Sequence, residues 1–321
     1  MMSARALILR WAQDGAITEG HLADALAVAG VTPTAAQWRR LLDRLLLWTG
    51  LLLLTTAVIF FIAYNWGELG RFAKFGMVEA LIAAAVALYW RLGADRTSAK
   101  AALLVTALLM GALLALFGQT YQTGADTWEL FAAWAALILP WVVLARFAAL
   151  WLLWLVLINT LVILYFQTFH GLLGIVMHTD KQLLAIAAVD TAALIAWEAA
   201  ATRWTWLRER WAIRIVATAA ASAVTILMIY AVLEWKSVGA HALLVYLAWI
   251  TAAYLVYRSR IPDLMVLAGL CFSVIAVVTA LLAHLLLGHA EALSFLLIGF
   301  VVLAMSAGAA AWLRRVASEL R

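Results

Sequence analysis

Charge is scarce in this chain of 321 residues: Asp, Glu, Lys and Arg make up 12% of it, while hydrophobic residues make up 68%. A soluble domain carries about 25% charged residues and about half apolar ones, so an aqueous fold is excluded and the lipid bilayer becomes the implied solvent. Cysteine is nearly absent as well. The one Cys271 sits inside an apolar run, which excludes a disulfide framework and a cysteine-based metal site. Also missing are a Walker loop, a Rossmann glycine pattern, a zincin motif and a serine nucleophile elbow. We therefore assign no catalytic residue, no cofactor and no metal. Paired histidines do not rescue a metal site, because His284 and His289 are not one helical turn apart and Gly288 stands where a partner would be.

What the chain does have is long apolar runs. A spanning helix needs about 20 predominantly apolar residues. Such runs occur near residues 45–64, 72–90, 101–117, 128–144, 148–166, 183–200, 213–233, 240–257, 264–287 and 292–312. The expected fold is all-α, a polytopic membrane protein of about ten transmembrane helices. The fourth and fifth runs are separated only by Ala145, Arg146 and Phe147, which fits either a tight hairpin or one kinked, partly re-entrant unit.

Before the first run, residues 1–44 hold charge throughout and no uninterrupted apolar stretch of the kind a signal peptide needs. Leu7 with Trp11, and Leu22 with Leu26 and Ala29, fall at helical spacing. Gly30 is placed to stop the second helix, and Thr34 with Gln37 reads as a capping box launching a third that runs through Arg39, Arg40 and Arg44 into the first span. The expected organisation is a cytoplasmic helical segment (1–44), a transmembrane bundle (45–313) and a short basic tail (314–321).

Orientation follows from the basic residues. With ten spans, eighteen of the 22 Lys and Arg side chains fall on one face, leaving Arg71, Lys74, Lys181 and Lys236 on the other. By the positive-inside rule both termini are expected in the cytoplasm. The basic residues stand in ones to threes at helix ends, a distribution suited to phosphate headgroups and not to nucleic acid. The opposite face collects Asn65, Glu68, Gln119, Tyr121, Gln122, Asp126, Glu129, Asp180, Glu234 and Glu291 together with five of the six histidines, His170, His178, His241, His284 and His289.

The densest polar element on that face is the stretch 118–129, between the third and fourth spans, which has no Lys or Arg. Gly118 and Gly124 suit a close turn, and the Gln, Tyr and Thr groups either satisfy backbone or bind a ligand. Asp190 lies about half-way along the sixth span, where a carboxylate costs about 2.5 to 3.5 kcal/mol on insertion scales. It must face protein or water. A relay for protons or cations would use it, whereas the structural alternative is an interhelical hydrogen bond to a residue such as Asn159.

The amino-terminal helical segment, the first span ending in Phe61-Ile62-Ala63-Tyr64-Asn65-Trp66, and the Gly118-Gln119-Thr120-Tyr121 turn leading to Trp128 and Trp134 resemble one family. It is the uncharacterised bacterial membrane-protein family catalogued as domain of unknown function 2157, and the likeness covers about the first 145 residues. The resemblance implies a bacterial inner-membrane location and the same orientation, and carries over no catalytic role.

Two classes of function remain. One is a carrier or ligand-binding protein with an outward-facing polar cavity that takes a small molecule or cation, for which Glu79, Gln119, Tyr121, Gln122, Asp126, Asp190, Asn65 and Trp66 are the candidate residues. This reading requires Glu79, Gln119 and Asp190 to converge. The other is an accessory subunit of a membrane complex, docking a membrane-protein partner through residues 1–44 and the outer loops.

Overall fold

A computed structural model of the chain describes residues 4–64, 70–169, 179–286 and 292–319. Asn65 and Trp66 of the candidate set, and Glu68, His170, His178, His289 and Glu291, lie outside the described residues. Twelve α-helices make up the described chain: α1 (Ala4–Gln13), α2 (Glu19–Val28), α3 (Ala35–Tyr64), α4 (Arg71–Leu92), α5 (Thr97–Tyr121), α6 (Thr127–Leu144), α7 (Ala148–Thr168), α8 (Thr179–Arg203), α9 (Arg210–Leu233), α10 (Trp235–Leu255), α11 (Leu264–Leu286) and α12 (Ala292–Glu319). Ten of them, α3 to α12, are long and apolar enough to cross a membrane. The expected all-helical, about ten-span architecture is what the chain adopts.

Two compact units divide it, Met1–Thr106 with Arg321, and Ala107–Leu320. In the first, Gly30 takes a left-handed φ of 68° after α2, a conformation that favours glycine. The capping box forms as expected. The Thr34 backbone N–H donates to Gln37 Oε1 at 2.8 Å, and the Gln37 N–H donates to Thr34 Oγ1 at 3.3 Å. From there α3 runs unbroken through Arg39, Arg40 and Arg44 to Tyr64, so residue 44 lies within a continuous helix.

In the second unit α9 is the central helix, packed against α7, α8, α10 and α11. Its buried residues, Ala212, Ile213, Val216, Ala217, Ala220, Ala223, Val224, Leu227, Met228, Ala231 and Val232, recur at three- and four-residue intervals. Nearly half are alanines. Lipid tails are as apolar as leucine, so helices in a bilayer gain from close van der Waals approach, and small side chains permit it. Small residues do not guarantee it elsewhere: Gly308, Ala310 and Ala311 of α12 are exposed.

Helices α6 and α7 pack on each other as a tight hairpin, with the Trp154 indole N–H donating across it to the Ala135 carbonyl at 3.1 Å. Arg146 makes the turn at a φ of 47°. The re-entrant alternative for this pair is thereby replaced by two helices, each long enough to span. At α5, Gly111 lets the ring of Trp134 from α6 lie directly on the helix, since a Cβ there would stand 2.4 Å from ring carbons. The same indole donates to the Ala107 carbonyl at 2.7 Å.

Candidate functional site

The polar turn after α5 is built differently from the sequence expectation. Gly118 does not end the helix; α5 continues to Tyr121, whose ring lies 4.8 Å from that of Phe117. The reversal falls on Gln122 and Gly124, with φ of 45° and 66°. Asp126 then precedes α6 in extended conformation and spends no side-chain bond on capping it. Trp128, the second residue of α6, packs edge-on against Tyr165 of α7 at 5.4 Å and anchors the start of α6.

A cavity of about 480 Å³ opens at this turn, and its polar lining is Gln119, Gln122, Thr123, Asp126, Thr127 and Glu129. The side chains of Gln119, Gln122, Asp126 and Glu129 make no hydrogen bond to another described residue. Two carboxylates, two carboxamides and two hydroxyls with no basic side chain beside them form a hydrogen-bonding, acidic surface. Tyr121 stands exposed next to it on α5, outside the lining.

Asp190 is placed elsewhere. It is 2% exposed on α8 and accepts a hydrogen bond from Asn159 Nδ2 of α7 at 2.7 Å, the interhelical partner named from the sequence. It is not among the residues lining the cavity at the turn. Glu79 lies exposed on α4, in the first unit. Gln119, Gln122 and Asp126 thus come together, whereas Asp190 does not join Gln119 as the carrier reading required, being spoken for by a bond that holds two helices.

Sequence reasoning missed the largest ionic cluster altogether. Asp263, 3% exposed, sits between α10 and α11 and accepts hydrogen bonds from Arg210 Nη2 at 2.9 Å, Arg210 Nε at 3.0 Å and Arg214 Nε at 3.0 Å. It also caps α11, because its Oδ1 accepts the backbone N–H groups of Met265 and Val266 at 3.0 and 3.4 Å. Arg210 reaches on to Glu198 of α8 at 3.0 Å, and Glu198 accepts the hydroxyl of Tyr257 at 2.9 Å. Burial alone would raise the Asp263 carboxyl, but the hydrogen bonds and charges of Arg214 and Arg210 outweigh it and hold the group below the ordinary carboxylate value. The available signal was local. Pro262 followed by Asp263 immediately before an apolar run is a stop and an N-cap in succession, and Arg210 with Arg214 places two guanidiniums on one helix face.

A chain with ten such helices and large apolar side chains turned outward is a multi-pass α-helical membrane protein. Residues 9–151 match the model of the family described as predicted membrane protein (DUF2157), the family that the Gly-Gln-Thr-Tyr stretch and the two tryptophans after it resemble. No curated protein and no solved structure matches the chain.

Proposed function

We propose that this protein is a ligand-binding protein of the bacterial inner membrane, with both termini cytoplasmic, whose site is the acidic cavity at the turn between α5 and α6. The observation that carries the reading is that Gln119, Gln122 and Asp126 line one space of about 480 Å³ with side chains bonded to no other described residue. Polar groups that a turn needs for its own backbone are consumed by it; these are not. Asp126 and Glu129 favour a cation or the cationic end of a small molecule, and the carboxamides supply both donors and acceptors for orientation. Asp190 belongs to the scaffold, so the proposal concerns binding at the outer surface and not a relay through the sixth span.

The test is the thermal stability of the purified chain against a panel of monovalent and divalent cations, amino acids and sugars. A ligand that binds only the folded state raises stability by mass action, about 2.7 kcal/mol at a hundred times its Kd. The expected result is a saturable rise with a cationic ligand that Asp126→Asn with Gln119→Ala removes. A rise that persists in that double variant would place the ligand elsewhere.

A second reading is favoured by a separate observation. Trp11, Val28 and Trp38 stand 46%, 91% and 52% exposed on the amino-terminal helices, which suits docking of a membrane-protein partner by residues 1–44. Under that reading, deleting the segment abolishes the cellular phenotype while any ligand response of the bundle survives.

A further inference from the structure

A second cavity, of about 320 Å³, runs along the seam between α9 and α11. Arg214 stands at one end, and the walls are mostly small or apolar, among them Ala217, Ala221 and Ile229 from α9 and Gly269, Phe272 and Ala276 from α11. From Arg214 to Ile229 the helix rises about 22 Å, more than the roughly 15 Å of hydrocarbon in one leaflet. Three of the four hydroxyls along it, all but that of Ser222, are already bonded within the protein. Thr218 and Thr225 donate back to the Arg214 and Ala221 carbonyls at 2.7 and 2.6 Å, and Ser273 is held by Thr225 and Tyr246 at 2.6 and 3.1 Å.

Arg214 is the one charged residue of the lining. Only its Nε is used, on Asp263, and its two Nη groups bond to no other described residue. At the same end, Arg208 donates to the carbonyls of Ala201 and Thr202, and Arg260 is exposed; neither is paired with a carboxylate among the described residues. The arrangement is amphiphilic: cations at the mouth, with the Nη donors of Arg214 unspent, and an uncharged slot as deep as a leaflet behind them.

We propose that this groove holds an acyl chain of an anionic phospholipid whose phosphate is bound by Arg214. The bilayer supplies such a molecule to a seam that opens sideways, and the phosphate satisfies the guanidinium that Asp263 leaves half-used. Basic pockets between transmembrane helices bind anionic headgroups by the same logic. The site shares no residue with the cavity at the α5–α6 turn.

The test counts lipids retained by the delipidated full-length chain, by native mass spectrometry, after incubation with phosphatidylglycerol, with phosphatidylcholine of the same acyl chains, or with inorganic phosphate alone. The expected result is about a fivefold preference for phosphatidylglycerol, the contribution of one cation near a membrane surface. Arg214→Gln brings that preference close to one. Gly269→Leu removes the retained lipid while keeping the cation; no atom lies within 4 Å of a Cβ there, so the added side chain enters the groove and not the helix packing. Should Arg214→Gln fail to fold, Gly269→Leu decides alone. Equal retention of the two lipids, lipid retention unchanged in Gly269→Leu, displacement of the lipid by equimolar inorganic phosphate, or a lipid-free mass of two chains would each overturn the proposal, the last by assigning the groove to a second copy.

Discussion

Asp263 is one residue with three tasks: it neutralises Arg210, engages Arg214 and caps α11. A buried ion pair adds little net stability over an apolar replacement, but removing one partner leaves the other charge uncompensated, at a cost of about 3 to 5 kcal/mol. Arg210 keeps its bond to Glu198 and Arg214 is partly exposed, so Asp263→Asn is expected to lower stability by about 1.5 to 3 kcal/mol, the worth of hydrogen bonds to a charged group, read as a fall in thermal midpoint in detergent. The pH dependence has a definite sign. A carboxyl held below its ordinary value of 3.8 contributes stability that is whole above that value and is shed as pH falls through the lower, folded-state one. The stability gap between the native chain and Asp263→Asn should stay level from neutrality down to about pH 5 and close only below 3.8. A gap that closed near pH 6 would point to a histidine instead.

Among the elements, α9 and the α5–α6 pair show how packing is arranged without a hydrophobic force between helices. The Trp134 ring occupies the space a side chain at Gly111 would take. Gly111→Ala is expected to cost about 1 to 3 kcal/mol by overpacking, and the cost should shrink when Trp134→Ala is made as well, as a double-mutant cycle would measure. Trp134 was noticed in the sequence only as part of a family pattern; its role as a lid on a glycine needs the register between two helices. The capping box at Thr34 was legible because its partners are three residues apart. The extent of α5 was not, since Gly118 and Gln119 read as turn residues, while the helix continues past them to Tyr121.

For the whole molecule, the number and order of crossings follow from run lengths, and the proposed orientation rests on where the basic residues fall. In a cysteine-free background made by Cys271→Ser, a thiol introduced by Ala125→Cys should react with a membrane-impermeant reagent from outside the cell, and one introduced by Ser318→Cys only after the membrane is opened. The reverse pattern would invert the molecule and move the α5–α6 cavity to the cytoplasm.

The sequence by itself determined the solvent, the helical class and the approximate ends of ten spans, because lipid demands that every crossing be about 20 apolar residues with internally satisfied backbone. Those are properties of consecutive residues. Tertiary structure alone decided which polar groups are spent and which are spare. Asp190 is used by Asn159, Asp263 by two arginines, while the carboxylate of Asp126 and the Nη groups of Arg214 bond to no other described residue. Partners from 31 to 53 positions away decide this, and a hydrogen bond reads distance in space, to which position along the chain is nearly indifferent.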